Sequence, residues 1–276
     1  MTRNFFIFGF FLLILLTLIK QNPNHTQGNT LINSGYFAGD TGKNSFQNFN
    51  ENTFKLNMNM IAVKGGIFTM GDTLGEGAEN EMPAHKVKLG DFYIAETEIT
   101  QKQWRKVMGT SPSSIEMQDF FPVDKVSWND VQLFIAKLNA KSGKKYRLPT
   151  EAEWEFAARG GLLGKGYRYA GSDVIGDVAW YYDNSGHLPN SIKKKKPNEL
   201  GIYDMTGNVW EWVNDIYGPY PADFQENPKG PESGSSKVCR GGSWDDFARN
   251  CRITCRRGFS ADRQSADLGF RLVMEP

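Results

Sequence analysis

From Gly161 to Pro276 the chain offers no sustained helical period and no long alternating run. It reads as turns, short strands and scattered aromatic residues. That is more irregular chain than a compact domain holds unaided. A chain of this kind folds only if metal ions, buried aromatic side chains or buried polar networks hold its loops in place. Phe, Trp and Tyr make up 13% of the residues, enough to supply aromatic anchors. The length of 276 residues suits one large domain, or one domain with an appendage.

The first 60 residues have a different character. Arg3 precedes an apolar run from Phe5 to Ile19, and Lys20 closes it. The run is shorter than the roughly 20 residues of a spanning helix and fits the core of an export signal. Residues 1–20 are therefore expected to be a signal peptide or N-terminal anchor, with membrane anchoring left open. Residues 21–59, rich in Asn, Gly, Ser and Thr, are expected to form a flexible tether. The folded domain is expected over 60–276. Such a protein would be exported and periplasmic, displayed on the cell surface or secreted. In an oxidising compartment its three cysteines, Cys239, Cys251 and Cys255, permit one disulfide and one free thiol. The formal net charge of +1 argues against a nucleic-acid partner, which calls for a basic footprint. The basic run Lys193–Lys196 sits between Pro189 and Pro197 and reads as a solvated loop tip.

Three helices are signalled. Thr100 can cap one over Gln101–Met108, stopped by Gly109. Ser127 with Asp130 resembles a capping box ahead of Val131, Phe134, Ile135 and Leu138 on one face. Thr150 with Glu153 opens a third, ended by Gly160-Gly161. The last two are expected to be amphipathic and to pack on a sheet. Ile61–Gly71 predicts a hairpin around Gly65-Gly66, and strands are expected near His85–Leu89 and after Phe92.

The order of motifs resembles the formylglycine-generating enzyme family, also called the sulfatase-modifying factor family. It runs from G-G-I-F-T-M-G through E-M-P-A-H-K-V, E-T-E-I-T-Q-K-Q-W and P-V-D-K-V-S-W-N-D-V. It continues with R-L-P-T-E-A-E-W-E-F-A-A-R-G-G and N-E-L-G-I-Y-D-M-T-G-N-V-W-E-W, and ends with R-G-G-S-W and G-F-R-L-V. The resemblance implies an irregular, loop-rich α+β fold related to C-type lectins, with short strands and two or three amphipathic helices.

It also implies a structural calcium ion. At the matching positions Asp204 and Glu211 would give side-chain oxygens, and Gly207 and Val209 backbone oxygens. Hard-cation chemistry agrees with that donor set. The residues alone leave a second reading open, in which Asp204 and Glu211 pair with arginines or cap backbone. The family's catalytic reaction uses two thiolates on copper(I) to convert a substrate cysteine to formylglycine. Here the second thiol position falls on Cys251 and the first on Asp246. A carboxylate is a hard ligand and a poor partner for copper(I), so formylglycine generation in sulfatases is the alternative function and not the preferred one. Cys255 lies roughly 13 Å from Cys251 along an extended strand, too far for a disulfide. A Cys239–Cys251 disulfide and buried free thiols both remain open. Three histidines, His25, His85 and His187, are too few and too scattered for a three-histidine iron site.

The segment Arg240–Val273 further resembles the variable proteins of diversity-generating retroelements. It holds the frame residue Trp244 and, between frame residues, Asp245, Asp246, Phe247, Ile253, Thr254, Cys255, Arg257 and Phe259. These are the expected ligand-contact positions of a binding protein whose C-terminal surface, about 244–267, is open to diversification. The ligand would be a surface protein or a glycan. Trp154, Trp210 and Trp212 are expected in the core, not in a stacking platform. Arg147, Arg159, Arg249, Arg252 and Arg271 are expected in buried ion pairs or carbonyl contacts that fix the turns.

Overall fold

A computed structural model of the chain describes residues 54–276, apart from 116 and 117. The expected signal segment, and most of the expected tether, lie outside the described residues. The folded domain begins before residue 60. Leu56 is buried in the core, Phe54 and Met58 pack against it, and Glu96 N–H donates to the Asn59 carbonyl.

The strands are short: β1 (Met60–Val63), β2 (Ile67–Met70), β3 (His85–Lys88) and β4 (Phe92–Ala95). Helices α1 (Gln101–Met108) and α2 (Trp128–Ser142) follow, then β5 (Tyr146–Arg147), α3 (Glu151–Ala158) and the single turn α4 (Ile175–Val178). The C-terminal part adds β6 (Trp210–Ile216), β7 (Gln225–Glu226), β8 (Lys237–Arg240), β9 (Arg256–Phe259), β10 (Leu268–Phe270) and β11 (Val273–Met274). Among the described residues these strands form three sheets, ordered β1-β4-β11-β5, β10-β6-β8-β9 and β2-β3-β7. This is the loop-rich α+β architecture that the motifs imply.

Local chemistry sets the helices. Thr100, Ser127 and Thr150 each accept a hydrogen bond from the third helical N–H, and Gln103, Asp130 and Glu153 answer from their side chains. Gly109 and Gly143 close α1 and α2 in the left-handed region. The expected hairpin at Gly65-Gly66 does not form. β1 pairs with β4 and β2 with β3, so the two strands enter different sheets. Gly65 instead lets the chain pass against the Leu89–Gly90 backbone, where a Cβ would lie 2.4 Å from its atoms. Around α2, Trp104 stacks on Phe134 at 5.2 Å and Phe270 meets Phe134 edge-on at 5.3 Å.

Helix α3 departs from expectation in a different way. It is not amphipathic, because every residue from Glu151 to Ala158 is buried. Its glutamates are covered by arginines, not by water. Glu151 takes Arg256 at 2.7 Å, Glu155 takes Arg240 and Arg159, and Glu153 takes Arg147 at 2.7 Å. Trp154, Trp210 and Trp212 are core residues as expected, and each indole N–H is satisfied, by Glu211, Asp246 and the Val126 carbonyl. Arg147, Arg159, Arg252 and Arg271 make the expected pairs, although Arg147 stays partly exposed. Arg249 does not. It is exposed, with its guanidinium 5.8 Å from the Phe247 ring centroid. Loss of its side chain should therefore leave stability nearly unchanged, against the expectation from sequence. The Lys193–Lys196 run is at the surface, but its cations are placed: Lys193 on Glu96, Lys195 over Trp180 and Lys196 on Asp177.

Removing one member of a buried ion pair strands the other. Glu155→Ala leaves Arg159 without its carboxylate and Arg240 with only a longer contact to Glu151 Oε1 at 3.4 Å, and is expected to destabilise the domain by about 3–5 kcal/mol in chemical denaturation. A change below about 1 kcal/mol, the range of surface pairs, would mean that the α3 pairs do not hold the fold.

Candidate functional site

Strand β8 delivers the chain into a tight descent. Gly241 and Gly242 both take positive φ, and a Cβ on Gly242 would lie 2.7 Å from the Cys251 sulfur. Only glycine lets the backbone pass so close to the 3-10 turn Ala248–Cys251. Cys251 therefore sits on a turn, not on a strand beside Cys239.

Inside this descent lies Asp246. Four side-chain donors surround its carboxylate: Trp210 Nε1 at 2.7 Å, Ser243 Oγ at 2.7 Å, Asn250 Nδ2 at 3.1 Å and Arg257 Nη2 at 2.9 Å. Its backbone carbonyl accepts from Tyr182 N–H at 3.0 Å. Asp246 is thus a buried hub that ties β6, β9, the turn and a second loop together.

The three thiols do not converge. Cys239 and Cys255 belong to one core cluster, and Cys251 packs with Tyr169 and Val178 in another. All three are buried and free, so no disulfide forms between Cys239 and Cys251. Burial, with Asp246 beside it, pushes the Cys251 thiol far up. Burial and Glu81 push Cys255 up to about 11, and burial raises Cys239 well above an ordinary thiol. Copper(I) needs thiolates. One expected ligand position is a carboxylate with its hydrogen-bonding capacity used, and the thiol opposite is held protonated. These residues do not fit a copper(I) centre, and no catalytic step follows from them.

The expected contact residues divide. Ile253, Thr254 and Cys255 are buried, as is Asp246, so none of the four meets a ligand directly. Thr254 faces inward to Glu81, and Ile253 joins the core around Trp154. Trp244, Asp245, Phe247, Arg257 and Phe259 keep exposed area. Phe247 is 50% exposed and lies 4.8 Å from the ring of Tyr182, itself 38% exposed. His187 completes the group, 4.9 Å from Tyr182. The loop carrying Tyr182 and His187 is stitched to the descent by Ser185 Oγ, which donates to the Trp244 carbonyl at 2.9 Å. Tyr182 and His187 were missed from sequence. The signal was there in Y-Y-D-N-S-G-H, aromatic residues on a turn-forming run.

The expected calcium residues are partly spent. Glu211 gives one oxygen to Arg271 Nη2 at 2.6 Å and the other to Arg271 Nε at 2.7 Å and Trp154 Nε1 at 2.8 Å. Of the expected ligands Asp204, Gly207, Val209 and Glu211, the last is thus engaged by Arg271 and Trp154. Two buried oxygens nearby lack any partner: Asp204 Oδ1 and Glu98 Oε1. Burial and the neighbouring carboxylates Asp204 and Glu211 push Glu98 well up, and burial raises Asp204 to about 6. Among the described residues no three His, Cys, Asp or Glu side chains gather as a metal cage.

Residues 45–276 match the model of the sulfatase-modifying factor enzyme 1-like domain. The chain belongs to the formylglycine-generating enzyme family. It is 31% identical to the formylglycine-generating enzyme of Streptomyces coelicolor, over 76% of this chain and 87% of that protein. It is 30% identical to the chaperone protein LppX of Paenibacillus barcinonensis, over 78% and 88% of the two chains. Among solved structures, Treponema denticola variable protein 1 superposes with a TM-score of 0.75 at 31% identity, over 81% of this chain and 98% of that one. The family frame and the likeness to a C-type-lectin-like variable protein thus coexist in one chain.

The burial of the thiols has a direct readout. In the native protein at neutral pH, Cys239, Cys251 and Cys255 are expected to react with an aromatic disulfide reagent only as fast as the structure opens, and all at once in denaturant. Rapid native-state labelling of Cys251 would reveal an accessible thiolate and contradict the buried arrangement.

Proposed function

We propose that this protein is an exported ligand-binding member of the family, and that its contact face is the exposed group Phe247, Tyr182, His187 and Asp245, extended by Trp244, Arg249, Arg257 and Phe259. The observation that carries the reading is the pairing of Phe247 with Tyr182 at the surface, above a hub that fixes both loops. Rigid aromatic residues beside a cation and a carboxylate form the side-chain mix of binding hot spots. The partner class is a surface protein or glycan. Likeness to a variable protein of Treponema denticola supports binding over catalysis, as does the loss of the paired thiols. Export rests on the Arg3 and Phe5–Ile19 pattern. Diversification by a retroelement would act on Asp245, Phe247 and Phe259 without touching Asp246 or its donors. An adenine-substituted second copy of the gene's 3′ end would establish it.

The face is tested with a double variant. Phe247→Ala with Tyr182→Ala is expected to lower binding to a glycan array or to a panel of surface proteins at least tenfold, with Tm unchanged. Full binding by the double variant would remove the face from the function.

Calcium belongs to this reading as a structural ion. Its support is the pair of orphaned oxygens on Asp204 and Glu98. An ion there would take these two carboxylates and the carbonyl oxygens of Gly207 and Val209, with Glu211 remaining on Arg271. Calcium is expected to raise Tm and a chelator to lower it, and Asp204→Asn with Glu98→Gln to abolish both responses. A wild-type Tm indifferent to calcium would remove the ion from this reading.

A further inference from the structure

A second concavity lies away from the contact face and shares no residue with it. It has a volume of about 390 Å³, within the range of small-molecule pockets. Its walls are mostly apolar, from Met70, Tyr220 and the prolines Pro219, Pro228 and Pro231. Pro221 and Lys229, both exposed, stand at its mouth.

Four buried polar residues reach it: Glu151, Arg256, His85 and Asp215. Two of them have no capacity to spare. Glu151 is held by Arg256 Nε and Nη2, each at 2.7 Å, and by Tyr220 Oη at 3.1 Å. Arg256 spends its remaining donor, Nη1, on the carbonyls of Gly218 and Asn80. His85 sets its Nδ1 against the Pro83 carbonyl at 3.1 Å, so that nitrogen carries a proton. Asp215 is different. It is 3% exposed, its Oδ2 accepts the Glu151 N–H at 2.9 Å, and no donor among the described residues reaches its Oδ1. No cation pairs with it. Arg256 is committed to Glu151, and Lys237 on β8 points its ammonium at the Asn214 carbonyl at 2.9 Å.

We infer that this cavity binds a small organic cation, a primary amine with a compact apolar body, whose ammonium group pairs with Asp215 while the body packs on Met70, Tyr220 and the prolines. An anion would meet two carboxyl groups and an arginine already neutralised. A wholly apolar ligand would leave Oδ1 without a partner, at the desolvation penalty of a buried polar group. Once Asp215 is ionised, an ammonium supplies both the donor its Oδ1 lacks and the counter-charge the carboxylate needs.

The charges around Asp215 give the inference a second handle. Glu151 and Glu153 face it from α3, Arg256 from β9 and Lys237 from β8, and His85 and Lys229 line the same cavity. Burial, then Glu151, pushes the Asp215 carboxyl up to about 8. At neutral pH the empty site is therefore mostly protonated. An arriving ammonium needs the carboxylate, so binding must release a proton. Affinity then rises about tenfold per pH unit up to about pH 8 and levels off above it.

The test uses the folded protein and 2-phenylethylamine, with 3-phenylpropan-1-ol and 3-phenylpropanoate as neutral and anionic counterparts. Calorimetry at pH 6, 7 and 8, in two buffers of different ionisation enthalpy, reads affinity and proton release together. The amine is expected to bind at least tenfold tighter than either counterpart, to release close to one proton at pH 6, and to lose binding in Asp215→Asn. Stronger binding of the propanoate, or amine binding without proton release, would overturn the assignment, as would no amine binding by the wild type. The proton release is measured on the wild type, so the outcome does not depend on how well the variant folds.

Discussion

The fold hangs on guanidinium–carboxylate pairs buried away from water. Four arginines of the C-terminal segment each enter a carboxylate contributed from elsewhere: Arg240 to Glu155, Arg252 to Glu81, Arg256 to Glu151 and Arg271 to Glu211. Arg240 and Glu155 are both 0% exposed. Such pairs are weak contributors to net stability, because desolvation offsets most of their attraction. What they supply here is position. A loop-rich chain lacks long ladders to fix its register, and each planar arginine fork fits its carboxylate in few orientations. The segment from Arg240 to Arg271 thereby clamps α3, β6 and the N-terminal turn at Glu81 into one frame.

The same chemistry organises the descent after β8. A carboxylate at position 246 wants donors, and Trp210, Ser243, Asn250 and Arg257 provide four. Position 246 is the polar knot under an exposed surface. Cys251 is then left without a partner and behaves as a small apolar residue, packed with Tyr169 and Val178. Phe247 and Asp245 stand at the surface, over a backbone held by atoms that do not belong to them.

Much of this was legible in the sequence, for identifiable reasons. The caps at Thr100, Ser127 and Thr150 are local hydrogen bonds, so their residues announce them. The three core tryptophans were legible as loop anchors. Strand pairing was not, because Gly65-Gly66 looks like a hairpin until β4 and β3 compete for the flanking strands. The burial of α3 was also hidden, since E-A-E-W-E reads as a polar face until arginines some 85 to 105 positions away are brought against it. At the proposed contact face, the burial of individual side chains was not legible. Ile253, Thr254 and Cys255 lie between exposed neighbours in sequence, and the turn after Cys251 sends them inward. Tyr182 and His187 come from another loop altogether.

Strand β9 shows how one short element serves two separate surfaces. Successive side chains on a strand point to opposite faces. Arg256 goes to one side, closes Glu151 and leaves Asp215 the cavity's single uncompensated acid. Arg257 goes to the other, over the Trp210 ring at 4.7 Å and onto Asp246 at 2.9 Å. The cavity and the contact face thus sit back to back across one strand, each anchored by its own guanidinium. A substitution at Phe247 or Asp245 alters neither Arg256 nor its partners. One strand thus separates the cavity at Asp215 from the exposed group around Phe247, and the two share no side chain.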